Sequence, residues 1–133
     1  MGTWAVSSFG NDAAGDWVID LANNPTYAFL RQTLQDSIDA PEDSDTNACA
    51  VAAAEVLCII DGHLPGDYQE VAHNLSSPVT ILQQQPIPGD LPALAINCLK
   101  SILEDSELKE LWEGDEEWID DIQRLMNQLE VHG

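Results

Sequence analysis

The 133-residue chain carries 24 aspartates and glutamates against 4 lysines and arginines, a formal net charge of -20, yet 44% of its residues are hydrophobic. An ordinary apolar fraction argues for a folded core and against disorder, and at this length one domain spanning 1–133 is expected to bury about 65–70% of its unfolded surface. So negative a surface repels nucleic-acid phosphates and anionic lipid and attracts cations and basic proteins.

Helical spacing recurs from about residue 12 onward and no segment sustains strand alternation, which predicts an all-α fold: a single compact bundle of about five to seven helices behind a short extended N-terminal arm. Asn11 or Asp12 caps a first helix whose Ala14, Trp17, Val18 and Leu21 form one stripe, and Pro25 stops it. Asn24 is the expected cap of a second helix with Pro25 at its first position and Tyr27, Leu30, Leu34 and Ile38 at helical spacing. Pro41 and the acidic run Glu42 to Asp45 make a loop. Asn47 to Ile60, rich in alanine with only Glu55 charged, predicts a central, nearly enclosed helix that Gly62 terminates.

Pro65, Pro78, Pro86 and Pro88 divide the next stretch, leaving a short helix around Tyr68 to Leu75. Asp90 caps a helix with a wide apolar face, Leu91 to Leu103, whose expected neighbour is the Ala-rich helix. A short segment with Leu108, Leu111 and Trp112 ends at Gly114. Asp115, Glu116 and Glu117 then favour the start of a final helix through its dipole, with Trp118, Ile122, Leu125 and Leu129 as its buried stripe running nearly to Glu130.

Cys49, Cys58 and Cys98 are odd in number, lack CxxC spacing and lie in apolar stretches, so they read as reduced, buried thiols of a cytoplasmic protein. Met1 to Ser8 has no basic residue and no long apolar run, and no segment approaches membrane-spanning length, so neither a secretory signal nor a membrane span is expected.

Few residues carry chemistry in a recognisable pattern. Asp12, Asp16 and Asp20 form a carboxylate row on one helix face, which either holds a cation or is solvated at a repulsive cost of about 0.2–0.5 kcal/mol per pair. Asp43, Asp45 and Asn47 imitate the start of a calcium loop. Ala48 and Ala54 stand where its glycine and bidentate glutamate belong, so a loop preceding a capped helix is the better account. His63, His73 and His132 lack metal-ligand spacing, and neither nucleophile elbow nor phosphate loop occurs. No cofactor or metal is therefore expected. The densest single-sign patch comprises Glu104, Asp105, Glu107, Glu110, Glu113, Asp115, Glu116, Glu117, Asp120 and Asp121, with Lys109 as its one base. Such a patch is normally avoided unless it steers a partner, which makes it the leading candidate for an interaction surface.

Gly2-Thr3-Trp4, followed by Phe9-Gly10-Asn11-Asp12-Ala13-Ala14-Gly15-Asp16-Trp17, resembles the opening of the DUF4259 family of small bacterial proteins. The blocks Ala52-Ala53-Ala54-Glu55-Val56 and Asp105-Ser106-Glu107-Leu108-Lys109-Glu110-Leu111-Trp112 are similar to it as well. Ala5, Ser7 and Gly10 depart from the family pattern. The resemblance implies a compact helical domain of the bacterial cytoplasm, a signature of Trp4, Asn11, Asp12, Asp16 and Trp17, and no reaction. Two functional readings follow. The first is a non-catalytic acidic protein that binds a basic protein, as immunity proteins or inhibitors do. The second is a carboxylate- or metal-dependent enzyme centred on Asn11 to Trp17. Self-association as a homo-oligomer is a plainer third reading, which self-repulsion at this charge disfavours.

Overall fold

A computed structural model describes residues 12–40, 42–62, 68–104 and 116–132, with side chains described throughout except at 12–14, 44, 68–75, 117–118 and 131–132. Six helices and no strand occupy the described residues: α1 (Asp12–Asn23), α2 (Tyr27–Asp39), α3 (Ser44–Ile60), α4 (Tyr68–Gln83), α5 (Leu91–Glu104) and α6 (Glu116–His132). The expected N-terminal arm and the short segment around Trp112 lie outside the described residues.

Helix α3 is the axis of the bundle and packs against all five others. Its composition explains this position. Ala50, Ala52, Ala53 and Ala54 are fully buried, and their short side chains let neighbouring helices approach on every side while alanine's high propensity keeps the segment helical. On one flank α1 pairs with α4; on another α5 lies between α2 and α6. Thus α5 does meet the Ala-rich helix, as expected, but its more extensive contacts are with α2 and α6. Trp17, Leu21, Leu30, Leu34, Leu57, Leu82, Leu99, Ile122 and Leu125 belong to one apolar cluster fed by all six helices.

Local chemistry sets the element ends. Asp43 is the N-cap of α3, its carboxylate accepting from the amides of Asp45 (3.1 Å) and Thr46 (3.2 Å), so the calcium-like triplet is a helix cap and α3 begins earlier than Asn47. Gly62, at φ 97°, donates to the Ile59 carbonyl (2.9 Å) in the left-handed turn that closes α3.

Two boundaries differ from expectation. The Asn24 amide bonds to the Asp20 carbonyl (3.0 Å), so Asn24 finishes α1 and cannot start α2; Thr26 is the N-cap instead, its hydroxyl accepting from the Phe29 amide (3.1 Å). Helix α4 also runs through Pro78 to Gln83 instead of ending near Leu75. Pro78 and Val79 are buried, as is Leu82, and that burial holds the second half of α4 on the core despite the missing amide. Beside the gap the Thr80 hydroxyl donates to the Ser76 carbonyl (2.7 Å).

Candidate functional site

The family signature separates into packing and surface. Trp17 is buried, stacks on Phe29 with ring centroids 5.7 Å apart, and donates its indole N–H to the Thr33 hydroxyl (2.9 Å), which itself donates to the Phe29 carbonyl (2.9 Å). The tryptophan therefore docks α1 on α2 with its polar atom satisfied. Asp16 and Asp20 are exposed on α1. Asp16 and Trp17 do not converge on a common point. Trp4 and Asn11 lie outside the described residues, as does the side chain of Asp12.

The carboxylate row of α1 meets the start of α3 in space. The half-buried Cys49 thiol is pushed up to about 11, first by burial and then by the charges of Asp45, Asp20, Asp43 and Asp16. Two features that are separate in the chain thereby form one acidic corner around Cys49. Among the described residues no three His, Cys, Asp or Glu side chains are grouped so as to hold a metal ion. The chemical character of the corner is its electrostatic field.

The larger predicted patch is only partly described. Glu104 is exposed at the end of α5, and Glu116 and Asp120 are exposed on the first turns of α6. Asp105, Glu107, Glu110, Glu113 and Asp115 lie outside the described residues, as does the side chain of Glu117. Asp121 is engaged within the protein: its Oδ1 accepts from Arg124 Nε (3.0 Å) and Nη2 (2.8 Å).

Arg124 also leads to a charged group that composition and motif reasoning left unassigned. Glu55, 1% exposed on α3, accepts from Arg124 Nη2 at 2.6 Å and Nη1 at 3.4 Å, while Nη1 also donates to Gln128 Oε1 at 3.1 Å. Burial opposes the guanidinium charge, but the hydrogen bonds and charges of Glu55 and then Asp121 outweigh it and hold Arg124 protonated above its ordinary range. Near this pair, burial and then the charge of Glu55 push the Cys58 thiol up to about 12. That thiol is an inert core group, as is Cys98, which burial pushes up to about 11.

The other arginine is also committed. Arg31 forms a two-pronged pair with Asp90, which ties the start of α5 to α2. The hydrogen bond from Arg31 holds the Asp90 carboxyl below its usual range. Both arginines of the chain therefore have their charge matched internally, and the exposed Lys100 is the remaining basic residue among the described ones.

No described helix is long and apolar enough to cross a membrane. No curated protein and no solved structure matches the chain. A family model described as a domain of unknown function, DUF4259, matches residues 2–124, and the chain belongs to that family.

Proposed function

We propose that this protein is a non-catalytic acidic binding protein whose partner is a basic protein, in the manner of an immunity protein or inhibitor. The observation that carries the reading is the internal neutralisation of both arginines, which leaves the acidic corner of Asp16, Asp20, Asp43 and Asp45 without a guanidinium of its own. A single-sign surface of this kind speeds encounter with an oppositely charged partner and rejects nucleic acid. The free thiols Cys49, Cys58 and Cys98 suit a reducing compartment, so the proposal places the encounter in the cytoplasm.

The test begins with affinity capture from the source cells at low salt and identification of what is bound. The captured protein is then titrated against the purified chain at two ionic strengths. Surface-charge steering is screened over about 8–10 Å at ordinary ionic strength, so affinity is expected to fall steeply as salt rises. Neutralising the corner with D16N/D20N/D43N/D45N is expected to weaken binding in the same direction. An acidic partner, or an affinity indifferent to salt, defeats the reading.

A further inference from the structure

From Val71 to Gly89 the chain holds no Asp, Glu, Lys or Arg, although 21% of its residues are charged. Burial does not account for this. Within the described part of the run only Pro78, Val79 and Leu82 are buried, while Ser77, Thr80, Ile81 and Gln84 are exposed. Ser77, Thr80 and Ile81 stand at i, i+3 and i+4 on one face of α4. Gln84 prolongs that face through a tight last turn, its amide donating to the Ile81 carbonyl (3.2 Å). Ile81, at the centre, is 44% exposed.

The composition of this face selects its occupant. A basic protein is drawn to carboxylates, and a neutral face offers it none. A second copy of the chain carries the same charge of -20 and is repelled wherever carboxylates face each other, so a neutral surface is where it can approach closely. Ile19, the other large hydrophobic side chain exposed among the described residues, fails that condition, because Asp16 and Asp20 stand at i-3 and i+1 on α1. The α4 face is also self-complementary. Antiparallel pairing about a two-fold axis between Thr80 and Ile81 sets each Ile81 against Thr80 of the other copy and each Ser77 against Gln84. The Thr80 hydroxyl already donates to the Ser76 carbonyl (2.7 Å), so it can leave water without losing that bond, and Ser77 and Gln84 can each donate to and accept from the other.

We propose that two copies of this chain associate through the neutral face of α4, antiparallel and with Ile81 at the centre. One helix face per copy places the contact in the small, transient class, under about 1,200 Å². The proposal is independent of the acidic-binder reading and uses none of the residues of the acidic corner.

Sedimentation equilibrium of the full chain, from about 0.01 mM to about 1 mM, tests it. Association is expected to strengthen as salt is raised, because screening relieves the repulsion between two acidic bodies, whereas binding of a basic protein weakens over the same range. Ile81→Glu is expected to weaken association more than about tenfold, since each dimer loses two buried isoleucines and gains two carboxylates in the contact. Q84E is expected to weaken it as well, and S77K added to Q84E to restore it by pairing the introduced charges across the axis. Ile19→Glu leaves it unchanged. These four side chains are exposed, so circular dichroism is expected to show every variant as helical as the parent. A chain that stays monomeric at every concentration and salt, or a dimer indifferent to Ile81→Glu and Q84E, overturns the proposal. Salt-dependent capture of a basic protein alongside either result leaves the acidic-binder reading standing, so the two failures are distinguishable.

Discussion

Glu55 sits in a helix otherwise dominated by alanine and aliphatic side chains, and its charge is tolerated because a guanidinium 69 positions along the chain reaches it. Breaking a buried pair costs about 3–5 kcal/mol because the surviving charge is left without compensation. Arg124 is 32% exposed, so R124M is expected to fall at the lower end, about 3 kcal/mol, with the methionine retaining part of the arginine stem's packing. The sign of the pH dependence follows from proton uptake. Once the guanidinium is lost, the burial of Glu55 favours its neutral form, so the folded variant binds a proton more readily than the folded wild type and its stability relative to wild type falls as pH rises. The R124M penalty is therefore expected to shrink as pH drops from neutrality toward about 4.3, the ordinary glutamate value. Urea unfolding of both proteins at two pH values measures this. A loss below about 1 kcal/mol, or one independent of pH, would show that Glu55 is not held by Arg124. Glu55 is visible in the sequence as the odd charge of an apolar run. Its partner is not, because no local periodicity links α3 to α6.

At the scale of elements, α3 tests how far end chemistry fixes a central helix. Its 17 residues span about 26 Å, so changes at its two ends share no contacts and are expected to add. D43A removes a carboxylate that serves two amides and should cost about 1 kcal/mol. A Cβ at Gly62 would meet nothing within 4 Å, so the cost of G62A is the left-handed backbone alone, about 1–2 kcal/mol. The double variant should lose about 2–3 kcal/mol in urea unfolding; a sum short by more than about 0.5 kcal/mol would mean that α3 does not depend on its ends separately. The Gly62 end was legible because it needs only a glycine after an apolar run, whereas the start was placed too late, at Asn47, because the acidic run Glu42 to Asp45 reads as a loop although Asp43 caps the helix. The α1–α2 junction and the second half of α4 were misread for the opposite reason. Asn24 and Pro78 carry strong local signals, a cap and a break, yet Asn24 completes the preceding turn and the burial of Pro78, Val79 and Leu82 outweighs one missing hydrogen bond. The acidic corner was half legible. Each aspartate pair was plain in sequence, but their meeting around Cys49 depends on the packing of α1 on α3.

For the whole molecule, the charge of -20 acts on folding and on binding with opposite signs, and salt separates the two. Like charges held on one compact body repel, and unfolding lets them move apart, so screening should stabilise the fold. Raising salt from about 0.01 M to about 1 M shortens the Debye length from about 30 Å to about 3 Å. The buried Glu55–Arg124 pair is shielded from that change by its surroundings, whereas the carboxylates at Asp16, Asp20, Asp43 and Asp45 are not. The net result expected is a rise in melting temperature of a few degrees, equivalent to about 1 kcal/mol at this size. Attraction to a basic partner is screened over the same range, so its affinity should fall while the fold becomes more stable. Calorimetry and titration on one salt series measure both trends. A melting temperature that drops with salt would mean that surface ion pairs, not repulsion, dominate the folded state, and the uncompensated acidic surface on which the binding proposal stands would then be lost.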